Sequence, residues 1–184
     1  MTTPETTPIA EPPTERTRLK RYHWLAKYDR ATIDAIIDAS IVCQVGYVID
    51  SEPYVTPTNH WRIDDYVYGH GSSASRMLET IEGGSPVCLT VSHLDGFVMA
   101  RSGFHHSVNY RAVMAFGMAH KVTDEAEKLQ SLKDFSDRLF PGRWETLRPV
   151  NKQEMKATMV LKMDLEECSA KVRTGPPVDD DEDY

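Results

Sequence analysis

The sequence predicts a mainly β chain with helices, an α+β fold, on three observations. Runs with strand character outnumber those with helical periodicity. The strand-like runs crowd around one polar stretch, residues 101–111. No sustained strand–helix–strand alternation is present, which argues against a doubly wound parallel sheet.

In chain order, residues 1–15 carry four prolines and little hydrophobicity, the composition of a disordered tail, expected over residues 1–20. Residues 31–38 place Ile33, Ile36 and Ile37 on one face and the aspartates mostly on the other, an amphipathic helix. Residues 41–49 read as a buried strand and 53–57 as a short extended piece. Residues 61–68 form another strand candidate with a turn at Asp64 and Asp65. A helix is expected from Ser73 to Ile81, stopped by Gly83 and Gly84. Residues 87–100 read as a strand, an Asp95-Gly96 turn and a returning strand, and the apolar run from Val113 as a third. Ala126, Leu129, Leu132, Phe135 and Leu139 recur at helical spacing between Asp124, near an N-cap, and Pro141-Gly142 beyond the end. A short helix over 154–157 leads into a last core strand over 158–165. The acidic run 179–184 reads as a solvated tail.

Composition bounds the function. The ~150 residues left between the tails suffice for one domain with a real core, placed at 21–178. A formal charge of −7, with no face-sized basic patch beyond Arg18 to Arg21, argues against a nucleic-acid partner. Cys43, Cys88 and Cys168 are widely spaced in or beside apolar runs, as reduced core cysteines are. No apolar stretch reaches the ~18 residues of a membrane span, and the N-terminus lacks a basic-then-apolar leader, so the expectation is a cytoplasmic protein.

Two segments carry chemistry. Residues 101–111 hold two arginines, two adjacent histidines, two serines and an asparagine between strands, a rigid frame for an anionic ligand. At residues 70–76, a β-like run gives way to a helix-like one through His70, Gly71, Ser72, Ser73, Ser75 and Arg76. Glycine permits close backbone approach, the serines offer hydroxyls, first-turn N–H groups lack partners, and Arg76 can bind phosphate bidentately. A serine-rich helix cap with no ligand is the competing reading. Neither a Walker loop nor a Gly-x-Gly-x-x-Gly fingerprint is present. Adjacent His105 and His106, with no carboxylate or cysteine at ligand spacing, argue against a metal site, and one of the pair is expected to serve the ligand and the other the structure. His60 and Trp61 line the ring pocket or the core, and His93 and His120 read as structural. No nucleophile–base–acid set or paired carboxylates stand out.

The segments 70–76, 92–102 and 105–111, with Pro141-Gly142-Arg143-Trp144 and 169–177, occur in this order. Together they resemble the pyridoxamine 5′-phosphate oxidase-like flavin-nucleotide-binding family, in the branch containing 5-nitroimidazole-resistance proteins. The resemblance implies a split β-barrel, a homodimer, and FMN bound where two subunits meet. It also implies that His70 contacts cofactor or substrate. Relatives are expected to continue past the acidic run with a tryptophan-containing segment that this chain lacks. A flavin carries its own redox chemistry, so the protein must anchor the phosphate and hold the ring. Gly71, Ser72, Ser73, Ser75, Arg76, Arg101, His106, Ser107, Asn109, Tyr110 and Arg111 are the candidate anchors, while Lys171 and Arg173 face either the pocket or solvent. The leading expectation is an FMN-dependent oxidoreductase that exchanges electrons between a small-molecule donor and acceptor, nitroaromatic reduction being one version. The alternatives are a non-catalytic binder of flavin, haem or another tetrapyrrole, and an interaction dimer.

Overall fold

The computed structural model describes residues 10–184. Among the described residues ten strands all pair antiparallel and form two sheets. The six-stranded sheet runs β1 (Ala26–Lys27), β10 (Glu167–Arg173), β7 (Ser107–Gly117), β6 (Val87–Val98), β2 (Val42–Ile49), β3 (Glu52–Asn59). The four-stranded sheet runs β4 (Trp61–Ile63), β5 (Tyr66–Ser72), β9 (Thr158–Asp164), β8 (His120–Lys121). Among the described residues four α-helices accompany them: α1 (Arg30–Asp38), α2 (Arg76–Glu82), α3 (Glu125–Leu139) and α4 (Lys152–Ala157). The expected α+β class, mainly antiparallel β, is what the chain adopts.

Burial follows the side-chain periodicities. Val45, Tyr47, Leu89, Val91, Val113 and Ala115 alternate inward from the large sheet and meet Val67, Leu161 and Met163 of the small one, with Ile33, Ile36 and Ile37 of α1 and Leu78 and Ile81 of α2 closing the core. The other face of the small sheet buries Trp61, Tyr68 and Val160 beneath Leu132 and Phe135 of α3. Cys43 and Cys168 are buried in the core, and all three cysteines are free.

Local chemistry sets the helix ends. Asp29 accepts from the Thr32 N–H at 2.9 Å and Asp124 from Glu127 at 2.7 Å, and Asn151 with Glu154 forms a capping box. Gly84, at φ +99°, ends the turn after α2 where the glycine pair predicts it. The carbonyls at and just beyond the C-terminus of α1 accept from three distant side chains: His93 to Ile36 and His60 to Ile37, each at 3.0 Å, and Arg138 to Asp38 at 2.6 Å and to Ser40 at 2.8 Å. The two histidines are thus helix-end donors, which the negative partial charge at a helix C-terminus favours.

Several expectations are corrected. Residues 87–98 form one continuous strand rather than a hairpin. The register to β7 skips Asp95, between Leu94 and Gly96, so the Asp95-Gly96 pair marks a bulge. The extended piece at 53–57 is the centre of the eight-residue edge strand β3, where Pro53 and Pro57 are tolerated because no further strand pairs there. The strand over 158–165 is followed by β10, which pairs with β7 along seven residues. Of the expected disordered tail, residues 1–9 lie outside the described residues. Beyond them Thr17 is buried and Arg16 lies over the Phe116 ring at 4.6 Å while ion-pairing with Glu167.

Candidate functional site

The segment around residue 70 is built differently from the serine-rich helix start that its sequence suggests. β5 continues through Ser72, and α2 begins at Arg76 with Ser75 as its N-cap. Between them the chain turns tightly, the Ser75 N–H donating to the Ser72 carbonyl at 2.9 Å and the Ser73 N–H to the Ala157 carbonyl at 2.8 Å. The Ser72 hydroxyl accepts from the Ala74 N–H at 3.2 Å and the Ser75 hydroxyl faces the Leu78 N–H at 3.5 Å. With only seven residues, α2 adds little dipole. Gly71 packs tightly: a Cβ there would sit 3.0 Å from Leu78 Cδ1, which would have to shift. Arg76 is exposed and makes no ion pair among the described residues. Its guanidinium lies 4.9 Å above the ring of Tyr54, itself stacked on Tyr47. A cation held over an aromatic face and free of carboxylates is available to an anion.

His70 stands one residue before this turn. Alternation along β5 puts it on the side facing α3, its ring 5.6 Å from Trp61 and 5.0 Å from Phe135. Its Nδ1 is buried without a partner while Nε2 is not. Burial holds the imidazole below its ordinary 6.5, so the neutral form with a free lone pair prevails. Below it, between the sheets, lies an apolar cavity of ≈ 50 Å³ that His60 also lines. Beside the turn a groove of ≈ 1200 Å³ opens between α3, α4 and residues 144–151, reaching from Ser73 past Lys128 to Lys152 and Lys156.

The second group of candidates lies on the large sheet. Ser107, Asn109, Tyr110 and Arg111 belong to β7, and a turn of 3₁₀ helix at Gly103–His105 fills the connection before it. The Asp95 bulge turns its carboxylate to Arg111, whose Nε and Nη2 each donate at 2.9 Å; this pair keeps Asp95 below the ordinary carboxylate value. Asn109 accepts from Arg173 at 2.7 Å and donates to the Gly175 carbonyl at 3.1 Å. His106 donates from Nε2 to the Ala100 carbonyl at 3.0 Å and so closes the connection on itself. The acidic run is not simply solvated: Asp179 accepts from the Arg101 N–H at 2.8 Å, and the Arg101 guanidinium lies 4.8 Å over Tyr184. Ligand atoms of His105, Asp180 and Asp183 lie within 4.8 Å of one another on that exposed run, and no ion is implied by acidic groups alone.

The structure therefore gathers Gly71, Ser72, Ser73, Ser75 and Arg76 at one place and Arg101, His106, Ser107, Asn109, Tyr110 and Arg111 at another, on different sheets. Among the described residues no hydrogen bond or ion pair joins the two groups. Sequence reasoning missed Tyr54, which seats Arg76, and Phe135, which packs on His70, since neither lies near its partner in the chain.

Known proteins share this architecture. Residues 29–172 match the pyridoxamine 5′-phosphate oxidase family, and the chain belongs to that family. The flavocytochrome Anf3 from Azotobacter vinelandii is 51% identical, with a TM-score of 0.91 over 95% of this chain and 81% of that one. A FAD and heme binding protein from Mycobacterium smegmatis is 33% identical, with a TM-score of 0.83 over 86% and 78% of the two chains. A Bacteroides thetaiotaomicron protein assigned to 5-nitroimidazole antibiotic resistance shares the fold at 22% identity, with a TM-score of 0.67 over 80% and 86%. No curated protein matches the chain.

Proposed function

We propose that this protein is a flavin-dependent oxidoreductase that also carries haem, moving electrons between a small-molecule donor and an acceptor. The observation that carries the reading is the 51% identity, over 95% of the chain, to a flavocytochrome. The relative that binds FAD and heme supports it.

The residues present fit both groups. Arg76 offers a guanidinium with no ion pair among the described residues, Gly71 and Ser73 line the turn, and Lys152 and Lys156 add positive charge along the adjoining groove. These would hold the flavin phosphates. His70 would bind haem iron through Nε2, with Trp61 and Phe135 excluding water from one side of the imidazole. When bound, flavin and haem supply two-electron and one-electron redox chemistry, and this chain positions them. The sequence resemblance implies FMN. We favour FAD, because the FAD-binding relative has it and the groove beside the turn has room for a nucleotide half.

The same reading calls for a homodimer. The two groups of candidates lie on different sheets, and a second copy would bring residues 101–111 to the first copy's turn. Leu94, Phe97, Met99 and Phe104, exposed by 61%, 76%, 71% and 91%, form an apolar arm beside those residues that a partner would cover.

Absorbance of the purified protein tests the proposal. Flavin bands together with a Soret band are expected, and mass analysis of the released flavin decides between FAD and FMN. His70→Ala should abolish the Soret band and leave the flavin. Absence of any flavin would sink the reading, and a flavin that dithionite reduces but NADH and NADPH do not would leave a non-catalytic binder. Sedimentation at micromolar concentration should give twice the chain mass.

A further inference from the structure

After β10 the chain turns back across the connection that joins β6 to β7. Gly175, at φ +121°, adopts a backbone conformation that side chains disfavour, and Pro176 and Pro177 stiffen the chain beyond it. The returning segment meets residues 101–109 at five points. The Gly175 carbonyl accepts from Asn109, and Asp179 Oδ1 accepts from the successive N–H groups of Arg101 and Ser102 at 2.8 and 3.4 Å. Asp180 lies 3.1 Å from His105 Nε2, and the Tyr184 ring lies under the Arg101 guanidinium. The Ser102 hydroxyl is buried there without a partner.

Almost nothing apolar holds this segment down: Val178 is 73% exposed and Tyr184 75%. Its contacts are charge-assisted and open to solvent, the kind that salt weakens. Two adjacent backbone N–H groups beside an arginine and a histidine are also what a phosphate or carboxylate ligand would use.

We propose that residues 174–184 form a strap over residues 101–106, and that Asp179 occupies an anion site which the chain thereby closes to other anions until the strap lifts. The strap swings at Gly175. The identity of the natural anion as the flavin's phosphate rests on the function proposed above; the strap itself does not.

The test uses the full chain and the double variant Asp179→Asn with Asp180→Asn. Backbone amide resonances of Arg101 and Ser102 are followed by NMR during titration with inorganic phosphate. In the variant these amides should respond at phosphate concentrations at least about threefold lower than in the parent, and the difference should fade as salt rises above physiological strength. Equal responses in the two proteins would overturn the strap. A parallel FAD titration identifies the natural anion. Tighter flavin binding in the variant supports the phosphate assignment, and equal flavin binding despite a phosphate difference overturns that assignment alone. If neither protein binds flavin, the functional reading fails while the phosphate result still decides the strap.

Discussion

Arg111 holds Asp95 through two parallel hydrogen bonds, its Nε and Nη2 each 2.9 Å from one carboxylate oxygen. The bulge makes the pairing possible, because the unpaired Asp95 is displaced from the ladder in which Arg111 sits opposite His93. The guanidinium read from sequence as a phosphate anchor is thus engaged within its own sheet.

Freeing that guanidinium should strengthen anion binding. With side chains 36% and 31% exposed, the pair adds little stability, so Asp95→Asn should leave the melting temperature nearly unchanged. It should tighten flavin binding, measured by fluorescence quenching of an apo preparation, whereas Arg111→Ala, which leaves the Asp95 carboxylate unneutralised, should not. Weaker binding in Asp95→Asn would show that the pair, and not the free arginine, serves the site.

Gly71→Ala is predicted to destabilise by overpacking. The added carbon would stand 3.0 Å from Leu78 Cδ1, and Leu78 is buried in the core. A cost of about 1–3 kcal/mol is expected, read as a lower urea midpoint at unchanged slope. Adding Leu78→Val should return part of the loss; an unchanged midpoint in Gly71→Ala would show that the α2 end yields freely.

Stability should fall on mild acidification. Burial keeps the His60 and His70 imidazoles below their ordinary 6.5 in the folded chain. The unfolded chain takes up protons as pH drops through 6.5 while the folded chain does not, so stability is complete above that value and declines toward the lower folded values. Urea midpoints should therefore decrease between about pH 7 and about pH 5. His60→Gln, which keeps a donor near Ile37, should flatten the decline. A profile as steep as that of the parent would assign the effect elsewhere.

The cysteines should be inert in the native state. Burial pushes the Cys43 and Cys168 thiols up to about 12 and raises Cys88 in the same sense. At about pH 8 the thiolate fraction of the first two is only about one in ten thousand. Ellman's reagent should titrate almost no thiol in native protein and all three in urea. Rapid native reaction of one thiol would identify Cys88, which is only half-buried.

Elements whose signal is local were legible in the chain. Ile33, Ile36 and Ile37 mark α1, the Asp64-Asp65 pair marks the β4–β5 turn, the glycine pair ends α2, and the leucine and phenylalanine spacing marks α3. These are carried by periodicity, caps and turn residues, which depend on neighbours within a few positions. The start of α2 was misplaced, because serines at 72, 73 and 75 all suit a cap and only the pairing of β5 with β9 out to Ser72 decides among them. The Asp95-Gly96 pair suits a hairpin turn equally well, and only the register against β7 makes it a bulge.

The family, the α+β class and the residue types of the candidate site were determined by the sequence itself, because ordered motifs and short-range patterns survive without coordinates. The tertiary structure alone decided which of those residues remain free to act. It paired Arg111 with Asp95, laid residues 174–184 over Arg101 and put His70 among Trp61 and Phe135, while among the described residues Arg76 stayed without a carboxylate. Each of these depends on a partner brought close only by folding, Asp179 standing 78 positions from Arg101. Whether a charge is neutralised or a ring nitrogen left unpartnered is a property of that surrounding space, which no spacing along the chain encodes.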